Sequence, residues 1–171
     1  MSVFFGANDA SLPDDRDHCQ HVPINEYERN LREIVQTIEK KFKEDNKPPI
    51  ILITPPPVDK TSWDKYCREN FDELSPRTNE VSKLYGDRVK SVAKELGCSV
   101  CDSFSILGGN GKEETYGTYL EDGLHLNGAG NKLLFEGFIK VIQNKYPHLA
   151  PMEAGNERGI PLEGSLWKDL C

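Results

Sequence analysis

The sequence predicts an α/β fold built on a parallel sheet, and three observations carry that expectation. Short runs that are apolar at every position recur along the chain, as in strands buried on both faces. Between them lie segments with apolar residues every three or four positions, the helical period. Each run stops at a Gly, Pro or Asx turn. Strands and helices alternating in this way pack as a parallel sheet covered by helices on both faces.

Val3-Phe4-Phe5 is the first strand and breaks at Gly6-Ala7-Asn8-Asp9. A polar, proline-containing loop then runs to Pro23. Ile24, Tyr27, Leu31, Ile34, Val35, Ile38 and Phe42 mark the first helix, with Glu39–Lys47 as its solvated, charged end. Ile50-Ile51-Leu52-Ile53 is the second strand, stopped by Thr54-Pro55-Pro56-Pro57. Residues 58–77 read as a polar connection anchored by Trp63, Tyr66 and Phe71, with room for a short helix.

Val81, Leu84, Tyr85, Val89, Val92 and Leu96 mark a further helix, which Gly97 suits as a C-cap. Ser99-Val100-Cys101 is the third strand, with Asp102 at its carboxyl end. Gly108-Gly109-Asn110-Gly111 lacks the preceding strand and following lysine of a phosphate loop, so a flexible loop beside the site is expected. The last helix carries Leu126, Ala129, Leu133, Leu134, Phe138, Val141 and Ile142 on one side. Residues 1–146 read as one domain. Residues 147–171 read as a tail wrapping its surface, docked by Leu162, Leu166 and Trp167.

A net charge of −7 argues against nucleic acid and anionic membrane surfaces, which demand a basic footprint. No run approaches the roughly 20 apolar residues of a membrane span. Met1–Gly6 lacks the basic start of a signal peptide, so a cytoplasmic protein with reduced thiols is expected. Among the five cysteines, Cys98 and Cys101 have CxxC spacing. Their apolar setting suits buried small side chains better than a zinc or redox pair. His18 and His21 lie in a polar loop without the carboxylate pattern of a metal site. No metal and no cofactor is expected.

Asp122-Gly123-Leu124-His125 sets a carboxylate three residues before an imidazole, on a turn leading into a helix. That order suits a general base whose tautomer is fixed by its acid neighbour. Asn8, Thr54 and Asp102 each follow a strand, at the edge where parallel sheets build active sites. The connectivity permits Asn8 and His125 to share one rim. Turn chemistry alone also accounts for Asn8 and Asp9, and helix capping for Asn127.

With both segments in view, Gly6-Ala7-Asn8-Asp9 resembles the GxND block of the SGNH (GDSL-type) hydrolases, and Asp122–His125 resembles their DxxH block. Val3–Ala10, His21-Val22-Pro23 and Pro55-Pro56-Pro57 are similar to the isoamyl acetate-hydrolysing branch and its plant GDSL esterase/lipase relatives. The resemblance implies a flavodoxin-like, three-layer α/β/α fold and hydrolysis of small carboxylic esters, such as acetate esters, without a cofactor. It implies that Asn8 is an oxyanion donor, Gly6 the residue permitting the tight turn beside it, His125 the base, and Asp122 its orienting partner.

The sequence departs from the family in its nucleophile. The Gly-Asp-Ser block and the oxyanion-glycine block should precede GxND, where only Met1–Phe5 stand. Ser11 lies off any strand-to-helix elbow, and Ser62, Ser75, Ser82 and Ser91 fall in the connection or on a helix. Ser103 and Ser105 follow a strand, with no elbow glycine and no helix start expected behind them. No nucleophile is assigned. The resemblance therefore implies a partial, N-terminally truncated sheet without the family's first two strands. Ser2–Phe5 becomes an open edge, and the chain is expected to be marginally stable or self-associating. A truncated ester hydrolase, a non-catalytic partner-binding protein and an acyltransferase using the same residues all remain open.

Overall fold

The computed structural model describes residues 1–13, 20–43 and 46–151. His18, Cys19 and Cys171, and the tail residues Leu162, Leu166 and Trp167, lie outside them. Three parallel strands form the sheet in the order β1 (Ser2–Phe4), β2 (Ile51–Ile53), β3 (Ser99–Cys101). Val3 stands beside Leu52 and Leu52 beside Val100. Strand alternation sends these three to one face, and Phe4, Ile53 and Cys101 to the other.

The first face is covered by α1 (Ile24–Lys40) and α3 (Asn79–Leu96). Tyr27, Leu31 and Val35 from α1, with Tyr85, Val89 and Val92 from α3, close over Val3, Ile50 and Leu52. The spacing that predicts α1 holds to Lys40, and Phe42 lies beyond its end, exposed. Gly97, at φ 70°, ends α3. The second face is covered by α6 (Gly128–Lys145), whose Leu134, Phe138, Val141 and Ile142 pack on Ile51, Ile53 and Cys101 while staying only partly buried. Phe4 shares this face beyond the reach of that cluster and is 42% exposed. The layers are therefore α/β/α, with β1 at one edge of the described sheet.

One expectation is sharpened and one is corrected. The connection at residues 58–77 contains a 12-residue helix, α2 (Lys60–Phe71). Its low hydrophobicity hides it, but three local features stabilise it. Asp59 caps it by accepting from the Ser62 N–H, Lys60 pairs with Asp64 at 2.9 Å, and Trp63 and Cys67 bury one face. A short helix, α4 (Ser103–Ile106), does begin directly after β3, capped by Asp102. It leads through a turn to another short helix, α5 (Glu113–Tyr116). The glycine loop at 108–111 lies between them and is pinned: Asn79 donates to the Gly109 carbonyl, and Gly109 donates to Phe104.

The CxxC pair is divided by the sheet. Half-buried Cys98 packs with the α1/α3 side, whereas fully buried Cys101 packs with α6. Burial pushes the Cys101 thiol up to about 11, which keeps it protonated and inert at neutral pH.

Candidate active site

The site begins with two glycines. Gly6 follows β1 at φ 113°, where a Cβ would stand 2.5 Å from the Tyr27 hydroxyl and 2.8 Å from Pro55. The turn it permits closes with Ala10 donating to the Gly6 carbonyl at 2.9 Å and leaves Asn8 at the surface. Gly123, at φ 97°, lies against the backbone of α2, where a Cβ would stand 2.4 Å from the Trp63 nitrogen. Its carbonyl accepts from Asp59, so the Asp122–His125 turn is fastened to the start of α2.

Within that turn Asp122 uses both oxygens. Oδ1 accepts from the backbone N–H groups of Leu124 (2.9 Å) and His125 (2.8 Å). Oδ2 lies 2.6 Å from His125 Nδ1, so an Nδ1–H donated to the carboxylate leaves Nε2 free to accept a proton. Burial opposes the Asp122 charge, but the bonds from His125 and Leu124 outweigh it and hold the carboxyl below its ordinary value. The His125 side chain is 68% exposed, with the edge of its ring against Trp63 at 5.7 Å between centroids. Behind it, Asn127 caps α6 by accepting from Gly130.

Asn8 and His125 line one open cleft of about 350 Å³, together with Phe4, Phe5, Gly6, Pro56 and Leu124. Asp122 does not line it and acts there through its contact with the imidazole. Thr54 and Asp102 reach the same sheet edge but serve the fold. Thr54 Oγ1 donates to Asp102, which caps α4 and pairs with Lys90 at 2.9 Å. The glycine loop at 108–111, expected beside the site, does not line this cleft.

None of the described serines lines the cleft either. Ser103 is fully buried and donates to the Thr54 carbonyl, Ser82 donates to Pro56, and Ser62 and Ser105 donate to the aspartates capping their helices. Ser11 is buried and Ser91 lies exposed on α3. Among the described residues no group of His, Cys, Asp and Glu is placed to hold a metal ion, and no helix is long and apolar enough to cross a membrane.

Two residues of the site escaped the sequence reading. Trp63, which the sequence predicts only as an anchor of the connection, is the wall that the His125 ring rests on. Arg77 is buried beneath the Asn8 turn and donates to Asn8 Oδ1 at 3.1 Å. Trp63 and Cys67, four apart, were a usable signal for α2; nothing in Pro76-Arg77-Thr78 marks a buried arginine.

A parallel sheet that carries polar groups on the loops beyond its carboxyl edge belongs to the three-layer α/β class, which places its chemistry there. Within that class, residues 1–133 match the GDSL-like Lipase/Acylhydrolase family, and the chain belongs to it. The chain is 42% identical over 146 residues to a GDSL esterase/lipase of Arabidopsis thaliana, covering 85% of this chain and 58% of that protein. It is 32% identical over 171 residues to an isoamyl acetate-hydrolyzing esterase 1 homolog of Homo sapiens, covering 100% of this chain and 62% of that one. The chain thus spans less than two thirds of either relative. Among solved structures, a lipase/acylhydrolase from Enterococcus faecalis superposes with a TM-score of 0.59 at 26% identity, covering 84% of this chain and 60% of that one. The acetylxylan esterase Axe2 from Geobacillus stearothermophilus, at 24% identity and a TM-score of 0.59, shares the fold.

Proposed function

We propose that this chain supplies the base and oxyanion side of a carboxylic-ester hydrolase site that takes short acyl esters of small alcohols. One observation carries the reading: the Asp122-held imidazole of His125 and the amide of Asn8 line the same cleft. In this role His125 Nε2 takes the proton of an attacking hydroxyl and returns it to the leaving alcohol. Asp122 fixes the tautomer and stabilises the imidazolium formed between those steps. The Asn8 amide donates to the oxygen that becomes negative as the ester carbonyl turns tetrahedral. The names of the relatives, esterases of isoamyl acetate and of unspecified esters, support the substrate class.

The nucleophile is assigned to none of the described serines, so the reading expects negligible ester turnover from the chain alone. The test fuses to it the part of the Arabidopsis relative outside the matched region and follows p-nitrophenyl acetate hydrolysis. Turnover that is lost in His125→Ala supports the reading. A folded fusion without turnover contradicts it.

Among the described residues no strand pairs with the outer edge of β1, which supports a second, compatible reading, in which the chain pairs with another strand, including one from a second copy. Phe4 and Phe5 are 42% and 59% exposed there, and an unpaired apolar edge invites such pairing.

A further inference from the structure

We propose that Arg77 is a positioning residue for Asn8: its guanidinium holds the oxygen end of the amide and so turns the NH₂ end toward the cleft. The use of that orientation rests on the ester-hydrolase reading above, but the orientation itself does not.

A guanidinium carries five N–H donors and no acceptor. Only the carbonyl end of an amide can therefore face it, and Asn8 Oδ1 lies 3.1 Å from Arg77 Nη2. The NH₂ end must point elsewhere, and among the described residues it has no hydrogen-bond partner. An exposed, unspent donor on the wall of the cleft is what a developing oxyanion requires. Pulling electron density toward Oδ1 also strengthens the opposite N–H as a donor.

The arginine is itself held. It is 8% exposed, and the same fork donates to the Ala7 carbonyl and to Gln20 Oε1. It thereby grips the backbone just before Asn8 as well as the Asn8 side chain. Its own N–H donates to Ser75 Oγ, Thr78 next to it caps α3, and Leu12 donates to the Pro76 carbonyl. The Asn8 turn and the Arg77 segment are thus joined at both backbone and side chain. Burial pushes the guanidinium below its ordinary value, with the nearby Asp9 carboxylate opposing that shift. Among the described residues the three groups that accept from the guanidinium are neutral. A space-filling role needs no cation, and burying one against neutral acceptors is expensive. Lysine would keep the charge and lose the planar fork that reaches three acceptors at once.

The test reads orientation without using activity. In Asn8→Asp, the introduced carboxyl faces the guanidinium. Followed by ¹³C NMR, it should titrate at least one pH unit below the ordinary aspartate value of about 3.9. Adding Arg77→Met should return it upward by at least one unit. A carboxyl that titrates at or above the ordinary value in the single variant overturns the proposal. So does a low value that persists when Arg77 is removed. Where Arg77→Met does not fold, Arg77→Lys in the wild-type background gives the second readout. The side-chain ¹⁵N–¹H pair of Asn8 should move in that variant toward the shifts of a solvated asparagine, and an unmoved pair overturns the proposal. Absent ester turnover with a depressed carboxyl would remove the hydrolase reading and keep the orientation. His125-dependent turnover with an ordinary carboxyl would do the reverse.

Discussion

On one side of the cleft, the bonds that orient His125 come from Asp122, three residues away. On the other side, Asn8 is oriented by Arg77, 69 residues further along the chain. The first side is a closed local unit: one carboxylate satisfies two backbone N–H groups and an imidazole, and one glycine lets the turn rest on α2. The second stands at the end of an edge strand and depends on packing between distant segments. The histidine side therefore needs little beyond its own turn and α2, whereas the asparagine side needs the whole α3-side layer in place.

The largest expected effect falls where the local unit meets the rest of the fold. Gly123→Ala forces a Cβ onto the backbone of α2 at a positive φ, and should destabilise the chain by about 3 kcal/mol in urea unfolding. A loss under about 1 kcal/mol would mean the turn is not fastened to α2. Next come the two orienting residues. Arg77→Met removes the charge-assisted hydrogen bonds to Ala7, Asn8 and Gln20 and should cost about 2 kcal/mol. Asp122→Asn keeps an acceptor for the backbone N–H groups and should cost about 1 kcal/mol. If Asp122→Asn proves the more damaging, the contrast between a local and a long-range side is broken.

Acid sharpens the same contrast. The carboxyls of Asp122 and Asp102 are held below their ordinary values, Asp122 by His125 and backbone donors and Asp102 by Lys90 and Ser105, in each case against burial. The stability they contribute is fully present above the unfolded value, about 3.9. It is lost as the pH falls from there through the depressed folded values. Unfolding followed from pH 5 to 2 should show a shallower loss in Asp122→Asn than in wild type, and an equal slope would remove Asp122 from the account. The smallest effect is at the free edge. Phe4→Lys should change stability by less than about 0.5 kcal/mol. If the edge pairs with other copies, the same change should lower the scattering mass in concentrated solution, and an unchanged mass would place any association elsewhere.

The contrast also accounts for what the sequence could disclose. The three strands, α1, α3 and α6 are legible because each is written in a local period. Asp122 and His125 are legible because their contact spans three residues. The sequence predicts a mainly polar connection where α2 lies because the helix buries only Trp63 and Cys67, too sparse a pattern to set a period, and its Asp59 cap and Lys60–Asp64 pair are polar. The helix start at Ser103 and Ser105 is not legible because α4 is only four residues long. Arg77 was invisible because its burial is decided by the segments that meet around it. Asn8 was visible only as a turn residue with a family resemblance; its partner lies in another part of the chain.

The central claim, that Asn8 and His125 work on one ester from two sides of one cleft, is tested most directly by kcat in the fused protein. His125→Ala should lower kcat for p-nitrophenyl acetate by roughly 10⁴-fold, and Asn8→Ala by roughly 10²- to 10³-fold, with both variants folded. Folded variants that hydrolyse the ester at the unsubstituted rate would contradict it.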